Sequence, residues 1–313
     1  MMQVQPKVVC LGSLNMDLLI QVQHAPADGE TVVGQSIQYV PGGKGANQAV
    51  SCARQGSCVS MLGRVGADSH GTTLRNSLSQ EGISVDGIDI DPSEPTGIAL
   101  VLLDEHGNNR IVVIAGANGK FHLDENQLSE QLSQEHYLVM QFEVPIDQVL
   151  QAAKVAHKLG CKVVLNPSPV KSMPQELWSL VDTLIVNETE AHFLTGLCAH
   201  ADVHLAAEAG RCLRAKGVSN VVVTLGALGA VATDAAGSTH HPATKVPVLD
   251  TTAAGDTFLG AVTVALASKQ SLTDSVALGI SAAALCVQHL GAQPSIPTHA
   301  QTLACSAPPW RVI

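Results

Sequence analysis

The chain has 313 residues, 46% hydrophobic and 14% charged, enough for one large core or two modest ones. Its 17 basic residues against 27 acidic give a net charge of −10, and no Lys/Arg run offsets it, which argues against nucleic acid or an anionic membrane as a partner. No apolar stretch approaches the roughly 18 residues of a membrane span, and the short apolar run after Lys7 meets Asn15 and Asp17 too soon for a secretion signal. Eight cysteines without a C-x-x-C pair read as free thiols, so a cytoplasmic protein is expected.

In chain order, residues 8–12 form an apolar run ending in Gly12, the pattern of a buried strand. Between 17 and 40 the texture changes to short β pieces at 18–22 and 31–39, around a Pro/Asp/Gly turn at 26–29. A helix follows, with Ala46, Ala49, Val50 and Ala53 on one face and a stop at Gly56. Residues 59–65 predict a strand, and Leu74 and Leu78 a short helix ending at Gly82. The segment 97–115 reads as a hairpin turning at 104–109, apolar on both faces, so one face needs a cover. Thereafter strands (138–142, 162–165, 184–186, 221–225) alternate with helices (146–159, 205–215). That alternation implies a doubly wound, mainly parallel α/β sheet flanked by helices. The interruptions at about 15–41 and 96–119 are expected to form a small β lid within a single domain, 1–313.

Polar clusters fall just after strands: Asn15 with Asp17, 42–47, Glu143, Asn187 with Glu190, 224–229 and 250–256. In a doubly wound sheet these converge on one rim. The run Asp250-Thr-Thr-Ala-Ala-Gly-Asp-Thr-Phe258 stands out, between a strand-like stretch ending at Leu249 and an apolar helix over 258–267. Small residues let a backbone approach a ligand, and free amides at a helix start favour an anion. A carboxylate there, Asp256, is either a helix cap or a base for a hydroxyl attacking a bound phosphate. Common fingerprints are absent: Gly43-Lys44 is followed by Gly45 rather than Ser or Thr, no G-x-G-x-x-G follows the first strand, and there is no H-E-x-x-H. His240-His241 reads as surface rather than a metal site, and the tail 298–313 has no clear pattern.

Gly42-Gly-Lys-Gly-Ala-Asn47, with Ala49, Gly56 and Gly66, resembles the first signature of the ribokinase-like (phosphofructokinase-B type) carbohydrate kinases. Asp250-Thr-Thr-Ala-Ala-Gly-Asp256 resembles their second; Ala253 stands where the broad family often has Gly, as is common in its ribokinase branch. Gly12-Ser-Leu-Asn-Met-Asp17, Met140-Gln-Phe-Glu143, Asn187-Glu-Thr-Glu190 and Gly291-Ala-Gln-Pro-Ser295 complete the set in the family's order, over nearly the whole chain.

The resemblance implies a fold (ribokinase-like) and an activity: ATP-dependent phosphorylation of D-ribose at O5, with Mg²⁺ required and K⁺ activating. Sister kinases of deoxyribose, fructose or nucleosides are the alternative, and a catalytically silent sugar sensor a more distant one. Asp256 resembles the base, which must accept its proton late because a carboxylate of pKa about 4 cannot strip an alcohol beforehand. The amides of Ala253, Ala254, Gly255 and Asp256 resemble the anion hole. Asn15, Met16, Asp17, Gly43, Lys44, Gly45, Ala46, Asn47 and Glu143 resemble the sugar set, whose amides and carboxylates can each engage adjacent hydroxyls. Asn187, Thr224, Leu225, Gly226, Ala227, Leu228, Gly229, Gly255 and Asp256 resemble the nucleotide set, with Glu190 arranging Mg²⁺ through water. Asp250, Thr252, Cys286, His289, Gly291 and Ser295 align with a K⁺ site built mostly of carbonyls. The resemblance also points to a homodimer in which the lids pair. Taken alone, Lys44 would be a solvated lysine, Glu143 a loop carboxylate, Asn187 with Glu190 a helix cap, and His289 plain helix-end surface.

Overall fold

The computed structural model describes residues 6–313 apart from 106–108, 134–135, 199, 201 and 306. Strand β1 (Lys7–Leu11) starts a main sheet, and the chain then leaves it for β2 (Asn15–Gln21) and β3 (Ser36–Gly42). It returns through α1 (Lys44–Arg54), β4 (Cys58–Gly66), α2 (Ser69–Gln80) and β5 (Ser84–Asp91). A second excursion adds β6 (Gly97–Leu103) and β7 (Asn109–Ile114). A 3₁₀ turn (Gly116–Lys120) and α3 (Glu125–Gln131) lead to β8 (Tyr137–Gln141), α4 (Ile146–Lys158), β9 (Lys162–Asn166) and β10 (Thr183–Asn187). Then come α5 (Glu188–Thr195), α6 (Val203–Ala215), β11 (Asn220–Thr224), β12 (Ala230–Asp234) and β13 (Gly237–His241). The chain closes with α7 (Ala254–Ala267), α8 (Leu272–Cys286), α9 (His299–Ala304) and β14 (Arg311–Val312).

Among the described residues the main sheet has ten strands, ordered β14-β13-β12-β11-β10-β9-β8-β1-β4-β5, and a second sheet has four, β3-β2-β6-β7. From β5 across to β11 neighbours run parallel; β12, β13 and β14 are antiparallel. The strand order reverses at β1, which has β4 on one side and β8 on the other, so the crevice outside their carboxyl ends is the place for a ligand. The near-continuous apolar runs of the parallel strands follow from burial on both faces. Val9 and Leu11 point into one core with Leu138, Val163 and α4, while Val8 and Cys10 point into the other with Val139, Val164 and α7.

Helix α7 is buried continuously from 256 to 265, between α1 and α8. It lies close to α1 because Gly260 has no side chain: a Cβ there would sit 2.2 Å from Ser51 Oγ. Ser51 Oγ donates to the Thr257 carbonyl at 3.0 Å, so the register of α1 against α7 is fixed beside Asp256.

Several expectations change. The stretch before Asp250 is not a strand: Val248 and Leu249 are 64% and 61% exposed, Pro247 lacks a donor, and the Leu249 and Asp250 amides both donate to the Val287 carbonyl. The piece expected at 31–39 starts only at Ser36 and runs on to Gly42. Asn15 and Asp17 lie within β2 rather than in a loop. The β12–β13 hairpin breaks the strand–helix alternation. The tail has structure after all: a Thr298–Gln301 capping box starts α9, and β14 pairs with β13. His240 and His241 are 6% and 1% exposed, not surface, because β14, Trp310 and α8 cover β13.

Candidate active site

Strand β2 leaves the rim at Asn15, and Asn118 in the 3₁₀ turn clamps that departure. Asn118 accepts from the Leu14 amide (2.9 Å) and donates to the Leu14 carbonyl (3.0 Å) and Asn15 Oδ1 (2.9 Å). Gly97 faces this clamp; a Cβ there would come within 2.3 Å of Asn15 Oδ1. Asp17 lies against Gly42, where a Cβ would be 2.2 Å from its carboxylate. Met16, between them on the strand, turns into the core.

The start of α1 fits against the loop after β1. Gly43 has φ 90°, and a Cβ on Gly45 would lie 2.6 Å from the Gly12 carbonyl carbon. Ser13 Oγ donates to Glu143, the Lys44 amide donates to Glu143 Oε2 (3.2 Å), and the Gly45 amide donates to Ser13 Oγ (3.3 Å). Ala46 packs in the core. One helical step on, Asn47 Nδ2 donates to Asp256 Oδ2 (3.2 Å) and Gln48 Nε2 to Asp256 Oδ1 (2.9 Å). Gln141 Nε2 donates in turn to Gln48 Oε1 (2.7 Å). Both oxygens of a buried carboxylate are therefore aimed by amide donors.

Asp256 is not the helix cap. The cap residue of α7 is Ala253, in the left-handed region at φ 59°, ψ 8°, with no side-chain capping bond. This geometry explains why Gly suits the position: a Cβ in that region costs about 1–2 kcal/mol. We therefore expect Ala253→Gly to stabilise the fold by about 1 kcal/mol in urea unfolding, the strain relieved exceeding the added freedom of the unfolded chain. A loss of stability would mean that Ala253 is unstrained. The Ala254 amide is turned onto the Thr251 carbonyl (3.2 Å), and among the described residues no backbone bond engages the amides of Gly255 and Asp256. Those two are free to receive an anion.

Charge is concentrated here. Burial, then the charges of Glu143 and Asp256, push the Asp17 carboxyl up to about 7. Burial works to lower the Lys44 ammonium pKa, but Asp256, Glu143 and Glu190 outweigh it and hold the pKa above its ordinary value.

Beyond the start of α7 a cleft of about 590 Å³ opens, lined by Thr224, Gly226, Ala227, Gly229 and Gly255, with Phe258 and Ile280 among its apolar walls. Leu225 is buried, and the Leu228 carbonyl accepts from His240 Nε2 at 2.8 Å, which ties the 226–229 turn to β13. Asn187 and Glu190 form a capping box on α5, and Glu190 Oε2 also accepts from Asn166. The loop 250–252 is strapped to the end of α8: Asp250 accepts from Thr252 and from the Gly291 amide (2.9 Å), and Cys286 Sγ contacts Ser295 Oγ (3.0 Å) and the Thr252 carbonyl (3.6 Å). The His289 side chain is exposed, while its amide donates to the Cys286 carbonyl.

A model of the pfkB family of carbohydrate kinases matches residues 5–299. The chain belongs to that family. Ribokinase from Haemophilus influenzae is 42% identical over 296 residues, covering 94% of this chain and 96% of that protein. A deoxyribokinase from Salmonella typhi is 32% identical over 294 residues, covering 93% and 95%. The structure of Arabidopsis thaliana ribokinase complexed with ribose and ATP superposes with a TM-score of 0.88 at 32% identity, covering 96% of this chain and 98% of that one.

The structure of this pfkB kinase adds residues to the site that the sequence reading left out: Ser13, Gln48, Asn118, Gln141 and His240. Two carried a signal. Gln48 lies on the side of α1 opposite Ala46, Ala49, Val50 and Ala53, next to small Ser51 and Cys52, and Gln141 is the polar end of an apolar strand; both are fully buried. A buried amide needs partners, so such a position marks a network. Asn118 and His240 act through contacts 104 and 12 residues distant in the chain, which no local pattern encodes.

Proposed function

We propose that this kinase transfers the γ-phosphoryl group of ATP to O5 of D-ribose. The observation that carries the reading is the convergence on Asp256: the polar pocket of Asn15, Asp17, Lys44 and Glu143 lies on one side and the apolar cleft on the other, with the free amides of Gly255 and Asp256 between. Asn47 Oδ1 is covered and has no partner among the described residues, an acceptor that a sugar hydroxyl would satisfy.

In this reading Asn15, Asp17, the Gly43 turn and Glu143 hold the ribose hydroxyls, and Asn47 and Gln48 aim Asp256 at O5–H. Asp256 takes the proton as the O5–phosphorus bond forms and the bond to the ADP oxygen breaks. The Gly255 and Asp256 amides meet the charge on the moving phosphoryl group, with Lys44 close by. Adenine lies in the apolar cleft beside the 224–229 turn. Mg²⁺ would neutralise phosphate charge; among the described residues no group of three or more His, Cys, Asp or Glu could cage a metal, which suits an ion held by phosphates and water near Glu190 and Asn187. For K⁺, the Asp250 oxygens are already committed to Thr252 and Gly291, so the strapped loop would offer backbone carbonyls. The eight free cysteines fit a reducing compartment, and the reading includes the cytoplasm.

The lid carries a dimer in this proposal. Strand β7 is an edge, and Ile111, Val112, Val113 and Ile114 are each more than half exposed, with Tyr39 57% exposed on the opposite edge strand. An apolar open edge is an association hazard unless a second copy covers it. Val112→Asp is therefore expected to convert dimer to monomer in light scattering at micromolar concentration and to raise KM for ribose. A wild-type monomer under those conditions would remove the idea.

The deciding assay is ADP release from Mg·ATP with ribose, 2-deoxyribose, fructose, adenosine or no sugar, in K⁺ or in Tris alone. Ribose-dependent release, raised by K⁺, is the expected result. Robust turnover on another sugar with ribose idle would reassign Asn15, Asp17 and Glu143.

A further inference from the structure

Of the turn 226–229, Gly226, Ala227 and Gly229 line the cleft beyond α7, whereas Leu228 does not. Among the described residues the Gly226 and Ala227 amides make no backbone hydrogen bond, so both are spare donors on the cleft wall. The turn closes on itself: the Leu225 amide donates to the Gly229 carbonyl (2.7 Å) and the Gly229 amide to the Gly226 carbonyl (3.0 Å). From behind, His240 Nε2 donates to the Leu228 carbonyl (2.8 Å). A carbonyl only accepts, so Nε2 carries the proton. Nδ1 of the same ring is covered and has no partner among the described residues. An unpaired buried nitrogen costs the fold stability, so packing alone does not account for a histidine there.

The end of β13 meets the turn a second time. Gly229 has φ 95°, and a Cβ there would lie 2.6 Å from the Ala243 amide nitrogen. Directly after β13, Ala243, Thr244, Lys245 and Val246 line the same cleft. Strand β13 lies between β12 and the two-residue β14. In that ladder His240 has Val231 on one side and Arg311 on the other. The Ile313 amide donates to the Ser238 carbonyl (3.0 Å), and Trp310 lies beside His241, ring centroids 6.4 Å apart. Without β14, β13 would be an edge held from one side and would fray at its end, where His240 stands.

We propose that His240 is a positioning residue for the nucleotide, and that residues 310–313 raise ATP affinity through it by holding β13 in register. The inference rests on the cleft being the ATP site. Asp256 takes its bonds from Asn47 and Gln48, and His240 gives its bond to Leu228, so the two networks are separate. Disturbing the second should therefore change ATP KM and leave kcat and ribose KM in place.

The test is calorimetric titration of the full chain with the Mg²⁺ complex of β,γ-imido-ATP, without sugar, beside steady-state kinetics. His240→Leu is expected to weaken the analogue and raise ATP KM about tenfold, the worth of one lost hydrogen bond, with kcat and ribose KM unchanged within about threefold. Gln carries its Nε2 the same number of bonds from Cα as His does, so His240→Gln should restore most of the affinity; His240→Asn, whose amide falls short, should not. Melting temperatures of the Gln and Asn variants should agree within about 3 °C, so a merely structural role would not separate their ATP affinities. Deleting residues 310–313 should raise ATP KM severalfold, and combining the deletion with His240→Leu should cost no more than His240→Leu alone. Equal analogue affinity in wild type and His240→Leu overturns the proposal, as does an Asn variant that binds as tightly as Gln. Additive effects of deletion and substitution overturn the part played by the tail. A wild type that fails to bind the analogue at all would instead sink the reading of the cleft as the ATP site.

Discussion

Asp256→Asn is expected to lower kcat by about 10³-fold, within the range that one positioned base contributes, while KM for ribose stays within severalfold of wild type. The substitution keeps the side-chain shape but removes the acceptor that takes the O5 proton in the proposed mechanism. It also disturbs the aiming. Asn47 Nδ2 and Gln48 Nε2 now both donate to the carboxylate, and an amide can accept with only one of its two ends. One donor is left facing another, at a cost of about 1 kcal/mol in stability by the usual worth of such a bond. Steady-state kinetics with calorimetric ribose binding separates the effects. A kcat within tenfold of wild type would mean that Asp256 is not the base.

Asp17→Asn should have opposite effects on stability and on sugar binding. Burial and the neighbouring carboxylates push the Asp17 carboxyl up to about 7, whereas the unfolded chain has an ordinary aspartate. Between about pH 4 and pH 7 the folded state therefore holds a proton that the unfolded state has lost. Stability from this residue falls as pH rises through that window, and the penalty is complete above about 7. The sugar-free Asn variant should match wild type near pH 4.5 and exceed it at pH 8 by about 1–2 kcal/mol, a figure discounted for the partial exposure of the group. Ribose affinity should move the other way. In the proposed sugar pocket the ionised carboxylate accepts from vicinal hydroxyls, so wild-type affinity should rise as pH climbs through about 7, and the variant should lose about 10–100-fold together with that pH dependence. Thermal melts and ribose titrations at the two pH values check both effects. A variant no more stable than wild type at pH 8 would contradict the raised carboxyl.

The sequence made the parallel half of the fold legible because period and punctuation agree there. Val8 to Leu11, Leu138 to Gln141 and Val221 to Thr224 are short apolar runs closed by polar or glycine residues, and each is a strand of the main sheet. It misled at Val246 to Leu249, where apolar content suggested a strand but Pro247 and the pull of the Val287 carbonyl decide otherwise. The antiparallel edge escaped because His240 and His241 look polar, and only the cover of the tail strand and α8 makes those two histidines interior, while that strand itself stays exposed. At the site, Lys44 meets Glu143 and Asn47 meets Asp256, whereas Met16 and Ala46 turn into the core. The hydrogen bonds that aim Asp256 and Asn15 (Gln141 to Gln48 to Asp256, Asn118 to Asn15) join positions roughly a hundred or more residues apart, and such pairings are set by topology rather than by local pattern.

The lid is woven from two separate excursions of the chain, and this orders events in time. Strands β2 and β6 pair in parallel, Asn15 opposite Gly97, with the whole β4–α2–β5 unit intervening. Parallel strands have no turn between them to nucleate pairing, and the loop-closure entropy of the intervening segment opposes contact until that segment has itself folded. The ribose pocket can therefore assemble only after the nascent main sheet has brought the two lid roots together. During synthesis the exposed β2 and β3 strands must wait, unpaired on one side, for β6 to emerge. In the finished protein the same weave makes the lid the natural unit of sub-global opening, one that can detach while the doubly wound sheet beneath it stays intact.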